Sequence, residues 1–215
     1  MLVDDSANGA FTKGMATRLR RALLRDGVSV TWTSVRETTA PRLPATYFAD
    51  QVSKALASRP DLVYVSTYFP EGAAIAKALT TGGKAPRCLM GLANVDNGFI
   101  ARTTNVEARR CVFSGVPAAT EMPSAETYVR QYRSAFGRKP GVWGSFTYDS
   151  ANILFAAIDR AKSYAFRAVG NELRRTVRYR GATGSITIDP KTGYRTRVPV
   201  SILRVDRRKA FVIAP

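Results

Sequence analysis

The sequence contains no histidine among its 215 residues. That absence excludes Ser-His-Asp and Cys-His catalysis, a histidine general base and most zinc or non-haem iron sites. A glycine-rich phosphate loop and a nucleophile elbow are also missing, which argues against a nucleotide-dependent enzyme or a hydrolase. No apolar run reaches the length of a membrane-spanning helix. The sequence therefore favours a non-enzymatic protein, and we predict no metal and no cofactor.

Cysteine is almost absent as well. Cys88 and Cys111 are the only two, and each stands at the start of a predicted strand. One pair is compatible with a disulfide in an oxidising compartment or with two buried thiols. If the two strands are parallel neighbours, the two Cα atoms come within reach of a disulfide. The chain opens on Met-Leu-Val-Asp-Asp, so we expect no secretory leader within it.

Acidic residues are few, and the formal net charge is +17. Such a charge suits a nucleic acid, an anionic membrane or an acidic ligand. However, the basic residues are spread over many predicted helices, and the chain has neither a basic tail nor a basic run interleaved with aromatic residues. We interpret the charge as an arginine-rich solvated surface and predict no nucleic-acid partner.

The most informative stretch is residues 61–79. Residues 62–65 form a short apolar run that predicts a buried strand, and a helix with Pro70 in its first turn follows. Just beyond the strand lie Ser66, Thr67, Tyr68 and Phe69. Open α/β sheets bind their ligands just beyond the carboxyl ends of the strands, so these residues are candidates for a binding site.

The rest of the first half also alternates strands and helices. Strands are predicted at 2–3, 28–35, 88–92 and 111–114, and helices at 10–25, 47–58 and 99–103. Such alternation is typical of an α/β fold with a parallel sheet flanked by helices.

The pattern changes after residue 117. Three helices are predicted in succession, at 125–136, 146–163 and 166–178, followed by a strand at 184–188 and a hairpin of 198–205 with 210–213. A helical block without its own sheet needs another surface to pack against. We therefore expect exposed apolar helix faces and self-association of the chain.

Five segments carry a family likeness. They are Val-Asp-Asp-Ser-Ala-Asn-Gly (3–9), the stretch 61–72, Leu-Met-Gly-Leu-Ala-Asn (89–94), Gly-Val-Trp-Gly-Ser-Phe-Thr-Tyr-Asp-Ser (141–150) and Gly-Ala-Thr-Gly-Ser-Ile-Thr-Ile-Asp (181–189). In their order and spacing, the chain resembles the extracytoplasmic solute-binding proteins of ABC transporters. The resemblance is to the branched-chain amino-acid (Leu/Ile/Val) binding family, which has the type I periplasmic binding fold.

The resemblance implies a division into two lobes. Residues 1–117 and 196–215 would form the second ligand-binding lobe, and residues 118–195 a helical block from an incomplete first lobe. The first-lobe sheet and the leader are expected to be missing from this chain. The implied partners are an amino acid or similar small ligand and a membrane permease, and the implied location is extracytoplasmic. A ligand-sensing module of a receptor or regulator is the alternative.

The resemblance also implies a divided ligand site. The first lobe holds the carboxylate through residues absent from this sequence, and the second supplies aromatic walls. Tyr68 falls where the family has a ligand-contacting tyrosine, and Asn8 falls where another aromatic residue is common. Ser6 and Thr67 stand beside these two positions. With only one wall of the site present, we expect the isolated chain to bind an amino acid weakly or not at all.

The acid that pairs with the ligand ammonium in this family follows a Met-Gly pair. Here Met90 and Gly91 are followed by no acid until Asp96, and Asn94 is the nearest polar residue. Both are candidates for ligand contact, although residues of this kind also cap helices. The departure leaves room for another small polar ligand, because a buried ammonium needs an anion or several acceptors.

Overall fold

The computed structural model describes residues 1–4, 6, 9–37, 43–81 and 86–215. The strands are β1 (Leu2–Asp4), β2 (Thr33–Val35), β3 (Leu62–Ser66), β4 (Arg87–Met90), β5 (Val112–Gly115), β6 (Tyr179–Gly181), β7 (Gly184–Ile186), β8 (Ser201–Val205) and β9 (Phe211–Ile213). The helices are α1 (Ala10–Arg25), α2 (Tyr47–Leu56), α3 (Phe69–Thr81), α4 (Asn97–Arg102), α5 (Asn105–Ala108), α6 (Glu126–Phe136), α7 (Gly144–Ala161) and α8 (Phe166–Arg174).

The chain divides into two compact units. Unit 1 comprises Met1–Val116 together with Ser201–Pro215, and unit 2 comprises Pro117–Val200. Unit 1 contains a seven-stranded sheet, whereas the sheet described in unit 2 is a two-stranded hairpin of β6 and β7.

The sheet of unit 1 has the order β2-β1-β3-β4-β5-β8-β9. Its first five strands are parallel, and β8 and β9 extend it antiparallel at the β5 side. The α/β class predicted from the alternating pattern is therefore confirmed. The chain steps outward from β1 to β2 and then returns to place β3 on the other side of β1. This reversal creates a crevice beyond the carboxyl ends of β1 and β3.

The central strands are buried because helices cover the sheet. Leu2, Val65 and Met90 are wholly buried on β1, β3 and β4. Ile75 and Leu79 of α3 are also fully buried, as the helical spacing of apolar residues along this segment predicts. These contacts hold α3 against the sheet and so fix the loop between β3 and α3.

Cys88 and Cys111 are joined by a disulfide, with a Cα–Cα distance of 4.6 Å. Cys88 lies in β4, and Cys111 immediately precedes β5. The parallel register pairs Leu89 with Val112, which brings the preceding residue of each strand opposite the other. Of the two states compatible with the sequence, the structure has the disulfide.

The structure differs from the expected elements in several places. α5 and β6 were not predicted, and β8 begins at Ser201 instead of residue 198. β2 covers only Thr33–Val35 instead of 28–35. α8 ends at Arg174 instead of 178, because Tyr179 begins β6 and pairs with Ile186 of β7. Helical propensity over 174–178 gives way here to the hairpin, and Arg178 takes a left-handed φ of 52° at the turn of the chain.

Candidate functional site

The candidate site lies at the carboxyl ends of β1, β3 and β4. Parallel strands end at the same edge of a sheet, so the loops that follow them are neighbours. β1 pairs directly with β3, with Leu2 opposite Val65 and Val3 opposite Ser66. The loop after β1 and the loop after β3 therefore flank the point at which the strand order reverses.

Two carboxylates share one hydroxyl in the loop after β1. Asp4 accepts hydrogen bonds at Oδ1 from the Ser6 backbone N–H over 3.0 Å and from Ser6 Oγ over 2.6 Å. Ser6 Oγ also lies 2.5 Å from Glu37 Oε1. A serine hydroxyl has a single proton, so it donates to one carboxylate at a time. The arrangement concentrates negative charge at this end of the sheet.

Asp4 is completely buried, and its Oδ2 has no hydrogen-bond partner among the residues described. Its backbone is also fixed, because the Thr12 hydroxyl donates to the Asp4 carbonyl oxygen over 2.7 Å. Gly9 packs against the same carbonyl: a Cβ on Gly9 would lie 2.5 Å from that oxygen. Ser66 of β3 donates to the Thr12 carbonyl over 2.7 Å. The loop after β1 is thus fastened to both α1 and β3.

Thr67 and Asn94 are both completely buried. Asn94 Nδ2 donates to the Thr67 carbonyl oxygen over 2.9 Å, and Thr67 Oγ1 donates to the Tyr68 carbonyl oxygen over 3.0 Å. Their polar groups therefore join the loops after β3 and β4 to each other. In this structure, neither side chain is accessible to a ligand.

Tyr68 is the exposed member of the loop after β3, with 36% of its surface accessible. Phe69 follows it and begins α3, and the Arg102 guanidinium lies 5.1 Å from the centre of the Phe69 ring. This cation–π contact ties α4 to α3. Tyr68 is therefore exposed to solvent between two residues that are held in place, Thr67 by Asn94 and Phe69 by Arg102.

Asp96 is the N-cap of α4. Its Oδ1 accepts a hydrogen bond from the Gly98 backbone N–H over 2.6 Å. A capping carboxylate of this kind satisfies a helix N–H that has no partner within the helix. Of the two roles considered for Asp96, ligand contact and helix capping, the structure shows helix capping.

Of the six candidate residues, Ser6, Tyr68 and Asp96 keep accessible surface, and Asp96 is engaged as the cap of α4. Asn8 lies outside the described residues. Glu37 was missed by the sequence reasoning, although it stands two residues after β2. The criterion that selected Tyr68, a polar or aromatic residue just beyond a strand, also selects Glu37.

Unit 2 also contains a buried acid. Asp149 of α7 accepts hydrogen bonds from the backbone N–H groups of Ala182 and Thr183, both over 2.7 Å, and from Thr183 Oγ1 over 2.6 Å. Burial raises the pKa of Tyr179, and the negative charge of Asp149 raises it further. Asp149 anchors the turn of the β6–β7 hairpin, so we assign it a structural role.

The sequence matches the family model described as periplasmic binding protein over residues 4–210. The chain belongs to this family. Solved structures with the same fold agree with the assignment. The chain superposes on a leucine-binding protein, LivK, from Thermotoga maritima with a TM-score of 0.84 and 22% sequence identity. No curated protein matches the sequence significantly.

Two further solved structures are similar to this periplasmic binding protein. A putative branched-chain amino acid ABC transporter protein from Rhodospirillum rubrum has a TM-score of 0.74 at 22% identity and is covered over 59% of its chain by 99% of ours. LivJ from Streptococcus pneumoniae, in complex with isoleucine, has a TM-score of 0.74 at 16% identity, with 99% of our chain covering 58% of it. These identities establish a common fold.

The match to LivK covers 100% of this chain but only 58% of LivK. The periplasmic binding protein described here therefore spans less than two thirds of the length of its structural relatives. Within the described residues, no helix is both long enough and apolar enough to cross a membrane.

Proposed function

We propose that this periplasmic binding protein is the solute-binding component of an ABC importer and contributes to the binding of a branched-chain amino acid or a similar small polar ligand. The observation that carries the proposal is the position of Ser6 and Tyr68. They follow two adjacent parallel strands, at the reversal of strand order where open α/β sheets bind ligands. The names of the structural relatives, which include leucine-binding and isoleucine-bound proteins, support this class of ligand.

We assign unit 1 to the second ligand-binding lobe of the family and unit 2 to part of the first lobe. The natural partner of the ligand-bound protein is then a membrane permease. An extracytoplasmic location accords with the disulfide between Cys88 and Cys111, because disulfides persist in oxidising compartments.

The proposal gives Tyr68 and Glu37 different roles. Tyr68 supplies an aromatic wall for the apolar side chain of the ligand. The ligand ammonium needs an anion when it leaves water, and Glu37, beside Ser6, supplies that charge. Glu37 lies after β2, so the ammonium is held at a different strand end from the one after Met90-Gly91 that the family resemblance indicates.

The test is an NMR titration of the isotope-labelled chain with leucine, isoleucine and valine. We expect chemical-shift changes confined to the Ser6 and Tyr68 loops. The Kd should be on the order of millimolar, a binding free energy of only about 4 kcal/mol, because one wall of the site makes few contacts with the ligand. Replacing Tyr68→Ala should abolish the changes. Tyr194→Ala, at an exposed tyrosine of unit 2, is the matched control and should leave them intact.

A comparison of leucine with 4-methylpentanoate, which lacks the amino group, tests whether Glu37 binds the ligand ammonium. Leucine should bind more tightly, and Glu37→Gln should remove that difference while preserving the response to 4-methylpentanoate. Absence of any shift at high leucine concentration would count against the site itself. Micromolar binding by calorimetry would instead show that the chain provides more than one wall.

A further inference from the structure

Helix α1 buries one side against the sheet of unit 1. Thr12 and Ala16 are its buried residues. Ala16 forms a core cluster with Val3 of β1 and Tyr64 of β3, and Leu19 packs against the same cluster. The spacing of four and three residues from Thr12 to Leu19 is that of a single helix face. The opposite side of α1 therefore points away from the sheet.

The outward side of α1 carries three arginines. Arg18, Arg21 and Arg25 follow one another at intervals of three and four residues, and all three are exposed. They lie about half a turn around the helix from Ala16. Because an α-helix rises 1.5 Å per residue, the three span about 10 Å along its axis. We call Arg18, Arg21 and Arg25 the arginine stripe.

The charge of α1 has one sign. The helix contains five basic residues and no acidic one, the two basic residues outside the stripe being Lys13 and Arg20, which are also exposed. Among the described residues, the ion pair of α1 is that of Arg25 with Asp26 over 3.8 Å, and the two side chains are 79% and 68% exposed. An ion pair this exposed contributes little. The stripe is therefore free to bind an anionic partner.

The elements around α1 do not neutralise this charge. α1 packs chiefly on β1 and β3. β3 contains no acid, and Asp4, the acid of β1, is completely buried and hydrogen-bonded to Ser6 near the beginning of the helix. Asp61 lies near the other end, where it lines a cavity together with Leu23 and Arg59. The acids thus lie at the two ends of the helix and not along its outward side.

The sheet surface beside α1 has the same character. Side chains alternate between the two faces of a strand, so positions in register with Tyr64 share the face that α1 covers. Leu89 of β4 is opposite Tyr64, and Val112 of β5 is opposite Leu89. Arg87, two residues before Leu89, lies on this face and is exposed. Neither β4 nor β5 contains an acidic residue, so this surface adds only positive charge.

Two large apolar side chains flank the arginine stripe. Phe11 is 47% and Leu24 is 48% exposed. Phe11 lies two helical turns before Arg18 on the same side, and Leu24 follows Arg21 by three residues, which makes them neighbours on the helix surface. Basic and apolar side chains on one exposed helix side are typical of a helix that lies on an anionic membrane. A nucleic acid would use the charges but not an exposed leucine, since its contacts are phosphates, base edges and stacked bases.

We propose that the outward side of α1 binds the surface of a bilayer that contains anionic phospholipids. The arginine stripe contacts the lipid phosphates, and Phe11 and Leu24 enter the headgroup layer. Arginine suits this role because its guanidinium donates two parallel hydrogen bonds to a phosphate. α1 stays packed on the sheet, so the protein binds at the membrane surface in its folded form. The proposal does not depend on which ligand the Tyr68 loop binds.

The test is flotation of the full chain with two kinds of vesicle at low ionic strength. One is pure phosphatidylcholine, and the other contains equal parts of phosphatidylcholine and phosphatidylglycerol. We expect binding to the anionic vesicles alone, and its loss as added salt screens the charges. The triple variant Arg18→Gln/Arg21→Gln/Arg25→Gln should lower the partition coefficient at least about tenfold, because the charges that face the lipid are removed.

A charge-matched variant separates the stripe from net charge. Arg138→Gln/Arg167→Gln/Arg197→Gln alters three exposed arginines of unit 2 and lowers the net charge of +17 by the same amount. It should change the partition coefficient less than about twofold. Circular dichroism checks that both triple variants are folded. Equal losses in the two variants overturn the proposal, because net charge alone would then drive binding.

The apolar contact has its own test. Phe11→Ser/Leu24→Ser keeps every charge and should weaken vesicle binding severalfold, and unchanged binding overturns the proposal. A wild-type chain that does not bind anionic vesicles also overturns it. Tighter binding to a DNA duplex than to these vesicles at the same salt concentration overturns it as well and assigns the stripe to nucleic acid. None of these outcomes bears on amino-acid binding at Tyr68, which the NMR titration tests separately.

Discussion

Asn94 Nδ2 donates a hydrogen bond to the Thr67 carbonyl oxygen over 2.9 Å, with both residues completely buried. This bond holds the loop after β3 against the loop after β4. Replacing Asn94→Ala leaves the buried carbonyl without this donor, so the free energy of unfolding should fall by about 2 kcal/mol. Urea unfolding measures the change. Asn105→Ala, at an exposed asparagine of α5, should have little effect, and an equal loss at the two positions would contradict the proposed role of Asn94.

Gly72 packs directly on Asn94. A Cβ on Gly72 would overlap with Asn94 Oδ1. Gly72→Ala should therefore destabilise the protein by about 1–3 kcal/mol, measured by thermal or urea unfolding. Gly14→Ala, in α1 with open space around the glycine, is the control and should instead stabilise by about 0.5–1 kcal/mol.

The double variant Gly72→Ala with Asn94→Ala separates steric conflict from other effects. Removing the Asn94 side chain leaves room for the new methyl group, so the two losses should not add. Additive losses would mean that Gly72 is required for a reason other than its contact with Asn94.

The disulfide between Cys88 and Cys111 joins residues 23 positions apart. A crosslink of this span restricts the unfolded chain, and replacing both cysteines with alanine should lower the free energy of unfolding by roughly 3 kcal/mol. Unfolding in urea with and without reductant gives the same comparison on the wild-type chain. Mass spectrometry of oxidised protein should find no free thiol, and two free thiols would refute the crosslink.

Asp149 accepts three hydrogen bonds from the turn that joins β6 to β7. Asp149→Ala should destabilise unit 2 by about 3 kcal/mol, because two buried backbone donors lose a charged acceptor. Amide hydrogen exchange should show the loss of protection at Ala182 and Thr183. Asp159→Ala, at an exposed position of the same helix, should leave that protection unchanged. If exchange at the turn is insensitive to Asp149→Ala, the anchoring role is wrong.

Burial raises the pKa of Tyr64 above its ordinary value near 10, an effect only partly offset by Ser66. The unfolded chain therefore ionises this tyrosine at a lower pH than the folded chain. Its contribution to stability is present below about pH 10 and is lost as the pH rises through the folded pKa. The free energy of unfolding should be measured for the wild type and Tyr64→Phe across this pH range. As the pH rises, the wild type should lose stability relative to Tyr64→Phe. A constant difference would mean that Tyr64 has the same pKa in both states.

The local sequence was sufficient for most helices and for the buried strands. α1 spans the predicted residues 10–25, because its apolar spacing and the Asp26-Gly27 stop signal both lie within the segment. β3 and α3 were also predicted closely, since an apolar run and a proline in the first helical turn are local features. The β6 strand was missed because its stability depends on pairing with β7 and on the distant carboxylate of Asp149.

The sequence by itself determined the α/β class and the family. The alternation of strand and helix patterns and the order of the motifs are local features that can be recognised without the tertiary structure. The sequence also placed candidate residues at strand ends. Only the tertiary structure decided which of those residues remain available. Thr67 and Asn94 are buried and hydrogen-bonded to each other, and Asp96 caps α4. Tyr68, in contrast, stays exposed. The pairing of Ser6 with Asp4 and Glu37 likewise depends on the strand order, since residues 31 positions apart meet only after β1 and β2 lie side by side.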